Sequence, residues 1–310
     1  MRKQSLKSVH DLARVDGRVI FIGSDLGAGT LEDMRTELPR QWFMEGVSEQ
    51  HIIGMAAGLA MEGFIPYVNT IATFITRRCF EQVSVDLGLH NLPVRLIGNG
   101  GGVVYAPLGP THQAIDDLAI MRAIPNMTLV APCDSLEMAS VIEASLDLPG
   151  PLYIRVAKGG DAHLGHDLKE FSIGKGIVVR PGVDAAFLTP GIMAQRALAA
   201  AEQLDKFGIR CGVYHFHTVK PLDTELLESL AGEVPLLISV EEHMRTGGLG
   251  STVLEALNDC RLDGNTRLIR VGLPDEFIDD YGSQDSLLGQ ASLTADDLSS
   301  LVRQQIERNL

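Results

Sequence analysis

One carboxylate and one imidazole in this chain stand where chemistry would need them. Glu49, in Gly46-Val47-Ser48-Glu49-Gln50-His51, lies at the mouth of a long apolar helical pattern. A carboxylate facing a low-dielectric helix start is unfavourable unless it holds a partner. The plainer reading is an acid that meets the positive end of the helix dipole. His112 sits on the Gly/Pro turn Gly109-Pro110-Thr111-His112-Gln113. An imidazole so placed can bind a substrate oxygen and move protons near neutral pH, although a lone histidine is more often structural. Three further positions follow predicted strands: Asp25 with Leu26, then Phe74 and Arg77 in Thr73-Phe74-Ile75-Thr76-Arg77. Taken alone they read as a loop-capping acid, a core ring and a solvated helix charge.

Apolar β-branched runs alternate with helical periods, which predicts an α/β protein of two domains, each a mostly parallel sheet covered by helices. Strands are expected at 18–23, 65–69, 93–98, 127–132 and 152–155, with helices over 51–61 and 74–88. Residues 27–40 read as a polar connection. A Gly/His/Asp-rich stretch over 159–167 interrupts the alternation and separates expected domains 1–165 and 166–310. The pattern then restarts, with strands at 185–189, 211–215 and 236–240 and helices over 194–207 and 248–258. Parallel sheets bind ligands at the carboxyl ends of their strands. There the first domain gathers Ser24, Asp25, Asn99 and Gly100-Gly101-Gly102.

The chain has 310 residues, 45% of them apolar and 21% charged, which suits two packed α/β domains. A net charge of −14 argues against nucleic acid as a partner. Cys79, Cys133, Cys211 and Cys260 lack the paired spacing of a zinc site and read as small hydrophobes in a reducing compartment. No metal site is expected within the chain. The basic start Met1-Arg2-Lys3 is not followed by an apolar signal core, and the apolar runs are too short to span a bilayer. The expectation is a cytoplasmic protein without membrane contact.

Ser48-Glu49-Gln50-His51 followed by Ala56-Ala57-Gly58-Leu59-Ala60, together with the Gly109–Gln113 turn, resembles the pyrimidine-binding domain of thiamine diphosphate enzymes of the transketolase family. The likeness runs from about Arg18 to Leu301. Farther along, Thr218-Val219-Lys220-Pro221-Leu222-Asp223, Glu241-Glu242-His243 and Gly247-Gly248-Leu249-Gly250-Ser251 resemble the family's C-terminal domain, where such segments build the fold and dimer contacts. The resemblance implies that Glu49 shares a proton with the aminopyrimidine ring of the coenzyme and so activates it. It implies that Phe74 stacks on that ring and that Asp25 and Leu26 match a cofactor-binding Asp-Leu step. Arg77 matches an arginine of the deoxyxylulose-phosphate synthase branch. His112 would bind a substrate oxygen and transfer protons.

The same resemblance implies a partner. Members of the family hold Mg²⁺ (or Ca²⁺) and the diphosphate with a Gly-Asp-Gly step, and none occurs in this sequence. Oxygen ligands for such an ion must come from elsewhere. The expectation is therefore the C-terminal (beta) subunit of a split transketolase-like enzyme in an α₂β₂ assembly. Its partner would carry the Gly-Asp-Gly motif. The reaction would move a two-carbon ketol unit from a ketose to an aldehyde. Three substrate positions depart from ordinary transketolases: Leu108 replaces an aspartate, Gly100 a histidine and Lys158 an arginine. Apolar Leu108 cannot bond a sugar hydroxyl, and Lys158 meets an anionic tail without a bidentate fork. A non-standard sugar is the expected acceptor. The alternatives are the beta subunit of a 2-oxoacid dehydrogenase or decarboxylase and a non-catalytic scaffolding or regulatory subunit.

Overall fold

The apolar runs of the first half become strands buried along their whole length, as a parallel sheet covered on both faces requires. The computed structural model describes residues 1–24, 31–157, 162–165, 168, 171–260 and 266–308. Its strands are β1 (Val19–Gly23), β2 (Trp42–Met44), β3 (Ile65–Ile71), β4 (Arg95–Asn99), β5 (Thr128–Val130) and β6 (Leu152–Val156). After them come β7 (Ile177–Arg180), β8 (Ala185–Thr189), β9 (Cys211–His215), β10 (Thr218–Lys220), β11 (Leu236–Met244) and β12 (Arg267–Leu273). They form a seven-stranded sheet of order β10-β5-β6-β4-β3-β1-β2 and a five-stranded sheet of order β12-β11-β8-β9-β7. All pairings are parallel except β10 on β5 and β7 on β9.

Because side chains alternate along a strand, each sheet feeds two cores. On one face of the first sheet Ile20, Ile22, Val68 and Leu96 pack with Ile52, Ile53 and Ala56 of the helix Glu49–Met61. On the other, Phe21, Tyr67 and Ile97 pack with Leu6, Val9 and Ala13 of the helix Arg2–Val15. The second sheet is covered in the same way, Phe187 facing one cluster and Leu188 the other.

The structure departs from the sequence expectation in several places. The expected helix over 74–88 is not uniform: π-turns at Phe74–Arg78 and Val83–Leu89 flank the short α-turn Phe80–Gln82. Such wide turns re-aim side chains and cluster at functional sites. The connection expected over 27–40 contains the helix Glu32–Glu37, and the helix Arg2–Val15 precedes the first strand. The unexpected strands β2, β7 and β12 are partly exposed edges, and β2 and β7 are only three and four residues long. β10 lies beyond residue 166 in sequence yet caps the edge of the first sheet. It covers backbone groups that an open edge would expose. Among the described residues no helix is long and apolar enough to cross a membrane.

Candidate active site

Glu49 is the first residue of its helix and only 2% exposed. Its Oε2 accepts a 2.5 Å hydrogen bond from Arg78 Nη1, while its buried Oε1 accepts none from the described residues. An orphaned carboxylate oxygen in an apolar setting is a strong demand for a donor. The Arg78 guanidinium carbon also lies 4.4 Å over the Phe74 ring. Phe74 opens the π-turn after β3, and its ring meets His112 edge-on at 5.2 Å between centroids. The sequence-predicted Glu49, Phe74 and His112 are therefore brought together around one aromatic ring.

His112 is half-buried on its turn, with Nδ1 2.9 Å from Thr111 Oγ1 and a second aromatic neighbour in Tyr105. The turn is set by Gly109 at φ +75, after the short 3₁₀ turn Ala106–Leu108. Leu108 is 51% exposed beside it. Arg77 is engaged otherwise. Its guanidinium forks onto both carboxylate oxygens of Asp116, at 2.7–3.0 Å, and reaches the Gln113 carbonyl at 3.0 Å. It ties the π-turn to the His112 turn, and the neighbouring Arg78 is the arginine that reaches Glu49. The predicted Asp25, Leu26 and Lys158 lie outside the described residues.

The loop behind the site is held by groups that sequence reasoning did not rank. Arg155 donates to Asp117 at 2.9 Å and to the carbonyls of Ala114 and Glu242, and Tyr153 donates to the same Asp117 oxygen at 2.7 Å. Glu242, from β11, accepts from the Val103 amide at 2.8 Å and from Gln284. Burial pushes the Glu242 carboxyl up, and the Arg155 charge opposes that. Gly102 allows this approach: it sits at φ +68, and a Cβ there would lie 2.4 Å from the Glu242 carboxyl carbon. Gly102→Ala is thus expected to lower stability by about 1–3 kcal/mol. Gly54→Ala, with open space at a helical position, should be neutral or slightly stabilising. Parallel thermal denaturation of the two variants checks this.

The remaining candidates are structural in geometry. Ser24 and Asn99, at strand carboxyl ends, bond to Thr70 and Asn69 of β3. His243 of the Glu241-Glu242-His243 segment accepts from the Ala119 amide and donates to the Met244 carbonyl. Cys79, Cys133 and Cys211 are buried, and burial pushes the Cys79 thiol up to about 12, which keeps it an inert hydrophobe. Tertiary structure instead assembles a cluster absent from the sequence reading, the fully buried Cys133, Glu137 and His215. His215 donates through Nδ1 to the Thr189 carbonyl at 2.9 Å and through Nε2 to Glu137 at 3.1 Å. The carbonyl requires Nδ1 to donate, and the Glu137 charge and hydrogen bond, acting against burial, favour a proton on Nε2 as well.

Two family profiles cover most of the chain. "Transketolase, pyrimidine binding domain" matches residues 1–160 and "Transketolase, C-terminal domain" residues 174–298. The chain is 36% identical over 281 residues to one of the subunits of the apulose-4-phosphate transketolase of Phocaeicola vulgatus, covering 89% of this chain and 88% of that protein. It is 38% identical over 282 residues to the 1-deoxy-D-xylulose-5-phosphate synthase of Microcystis aeruginosa, but spans only 43% of that longer protein. Among solved structures, a split gene transketolase described as an inactive beta4 tetramer is 31% identical, with a TM-score of 0.90 over 99% of this chain and 98% of the other. A mutant transketolase from Pichia stipitis, 18% identical, shares the fold with a TM-score of 0.81 over 98% of this chain and 46% of its own. The chain belongs to the transketolase family, of which it carries the pyrimidine-binding and C-terminal domains.

Proposed function

We propose that this chain is the coenzyme-activating (beta) subunit of a split, thiamine diphosphate-dependent transketolase-like enzyme. The observation that carries the reading is the convergence of Glu49, Phe74 and His112, with a Glu49 oxygen left wanting a donor. That oxygen and the adjoining aromatic face fit an aminopyrimidine ring. When bound, thiamine diphosphate supplies the nucleophilic carbon and the electron sink needed to break a bond beside a ketone carbonyl.

The chain's own residues have separable tasks. Glu49, shielded from water, would hold or release a proton at its carboxylate toward the aminopyrimidine ring. Phe74 offers a flat apolar surface that orients the ring. His112 binds a substrate oxygen and exchanges a proton with it. Asp25 and Leu26 would border the coenzyme, and Lys158 would meet an anionic substrate tail. Leu108 offers no hydrogen bond to a sugar hydroxyl, so a shorter, deoxygenated or differently charged acceptor is favoured over a standard pentose phosphate.

Mg²⁺ (or Ca²⁺) and the diphosphate are assigned to a partner that bears Gly-Asp-Gly, in an α₂β₂ assembly, a reading supported by the division into subunits named for the Phocaeicola relative. Calorimetric titration of thiamine diphosphate with Mg²⁺ tests it. Binding is expected only when this chain is mixed with its partner, and tight binding to the chain alone would overturn the split site. Decarboxylation of pyruvate with a dye acceptor, in place of ketol transfer, would instead identify a 2-oxoacid-type beta subunit.

A further inference from the structure

Two arginines stand side by side on the π-turn, and their surroundings differ. Arg77 is forked into Asp116 and a backbone carbonyl. Among the described residues the Arg78 side chain has two partners, the Glu49 carboxylate and the Phe74 face, and it is 44% exposed. Its backbone is pinned, because its carbonyl accepts from Gln50 Nε2 at 3.2 Å. Only the side chain would have to move for the two partners to be released.

Those partners are the same two surfaces assigned above to the coenzyme's aminopyrimidine ring. A guanidinium meets both demands, being flat enough to lie over an aromatic face and furnished with N–H donors for a carboxylate. Arg78 and the ring cannot occupy that space together.

We propose that Arg78 is a built-in placeholder: in the free subunit its guanidinium fills the aminopyrimidine position between Glu49 and Phe74, and the coenzyme enters by displacing it. The proposal rests on the coenzyme reading given above. It explains how the free chain keeps a 2%-exposed carboxylate paired before any ligand arrives. It also gives the free subunit a lowered affinity for the ring. If Arg78 holds the position about 90–99% of the time, the apparent affinity falls roughly 10- to 100-fold.

The test uses the full chain and the isolated ring, 4-amino-5-hydroxymethyl-2-methylpyrimidine, so that no partner subunit or turnover is needed. Calorimetric titration is expected to show Arg78→Ala binding the pyrimidine about 10- to 100-fold more tightly than wild type. Adding Glu49→Gln to that variant should remove the gain, and methylguanidinium should compete with the pyrimidine for Arg78→Ala. Arg78→Met, which keeps the apolar stem, serves if circular dichroism shows the alanine variant unfolded. Equal affinity in wild type and Arg78→Ala, lost in both with Glu49→Gln, would overturn the placeholder and leave the coenzyme reading standing. Failure of folded Arg78→Ala to bind the pyrimidine, or binding indifferent to Glu49, would overturn both.

Discussion

Glu49→Gln in the assembled enzyme is expected to reduce kcat about 10²–10⁴-fold, the usual contribution of a positioned proton-transfer group. Glutamine preserves the shape of the helix start and can still accept from Arg78 Nη1 through its amide oxygen. What it cannot do is hold a proton between itself and a ring nitrogen. Far-UV circular dichroism of the variant should match wild type while steady-state turnover collapses. Among the described residues the adjoining ring is apolar and the helix behind it packs through Ile52, Ile53 and Ala56, so that environment offers no substitute for the lost proton acceptor. Turnover within about twofold of wild type would instead favour a subunit that only scaffolds or regulates its partner.

The second large effect lies away from the site, in the join between the two sheets. Glu137→Ala is expected to lower stability by about 3–5 kcal/mol, because it strips the partner from a buried histidine. Glu137 sits on the helix Ser135–Ser145 beneath the first sheet, and His215 ends β9 of the second. Both are fully buried. Burial by itself would push the Glu137 carboxyl up, but the charge and hydrogen bond of His215 outweigh it and hold the carboxyl well below its ordinary range. Burial likewise opposes the His215 imidazolium, and the Glu137 charge outweighs this and raises it. His217 and Asp134 stand nearby and act on the pair in lesser measure, and the buried Cys133 thiol stays neutral.

The pH dependence follows from those two directions. The depressed Glu137 contributes stability that is present above the ordinary carboxylate value of ~4.3 and is lost as pH falls through its folded value. The raised His215 contributes stability that is complete below ~6.5 and is lost as pH rises through its folded value. The pair therefore contributes fully between those two ordinary values and fades on either side. Denaturant unfolding across a pH series should show both limbs in wild type and flattened limbs in Glu137→Gln. Unchanged limbs would assign the pH dependence to other groups.

Much of this protein is local in origin. Buried parallel strands announce themselves as unbroken apolar runs, so β1, β3, β4, β5, β6, β8, β9 and β11 were legible. Glu49, Phe74 and His112 were legible as residue types at helix starts and turns, and a resemblance to one family gave each an expected role. Short strands at the sheet edges were not legible. β2 and β10 have only three residues each, and β10 exists as a strand because β5 offers it an edge.

The rest depended on partners far away in the chain. Sequence alone determined that two arginines would follow the aromatic ring, but not which of them would meet the acid. Arg77 and Arg78 are adjacent, and the π-turn decides that the first faces Asp116 and the second Glu49. Nothing local links Cys133 and Glu137 to His215, or Gly102 to Glu242, since those contacts arise only when the two sheets dock. Hydrophobic periodicity reports which face of an element is buried. It carries no information about which element will cover that face, and in this chain the covering elements choose the hydrogen-bond partner of each buried charge.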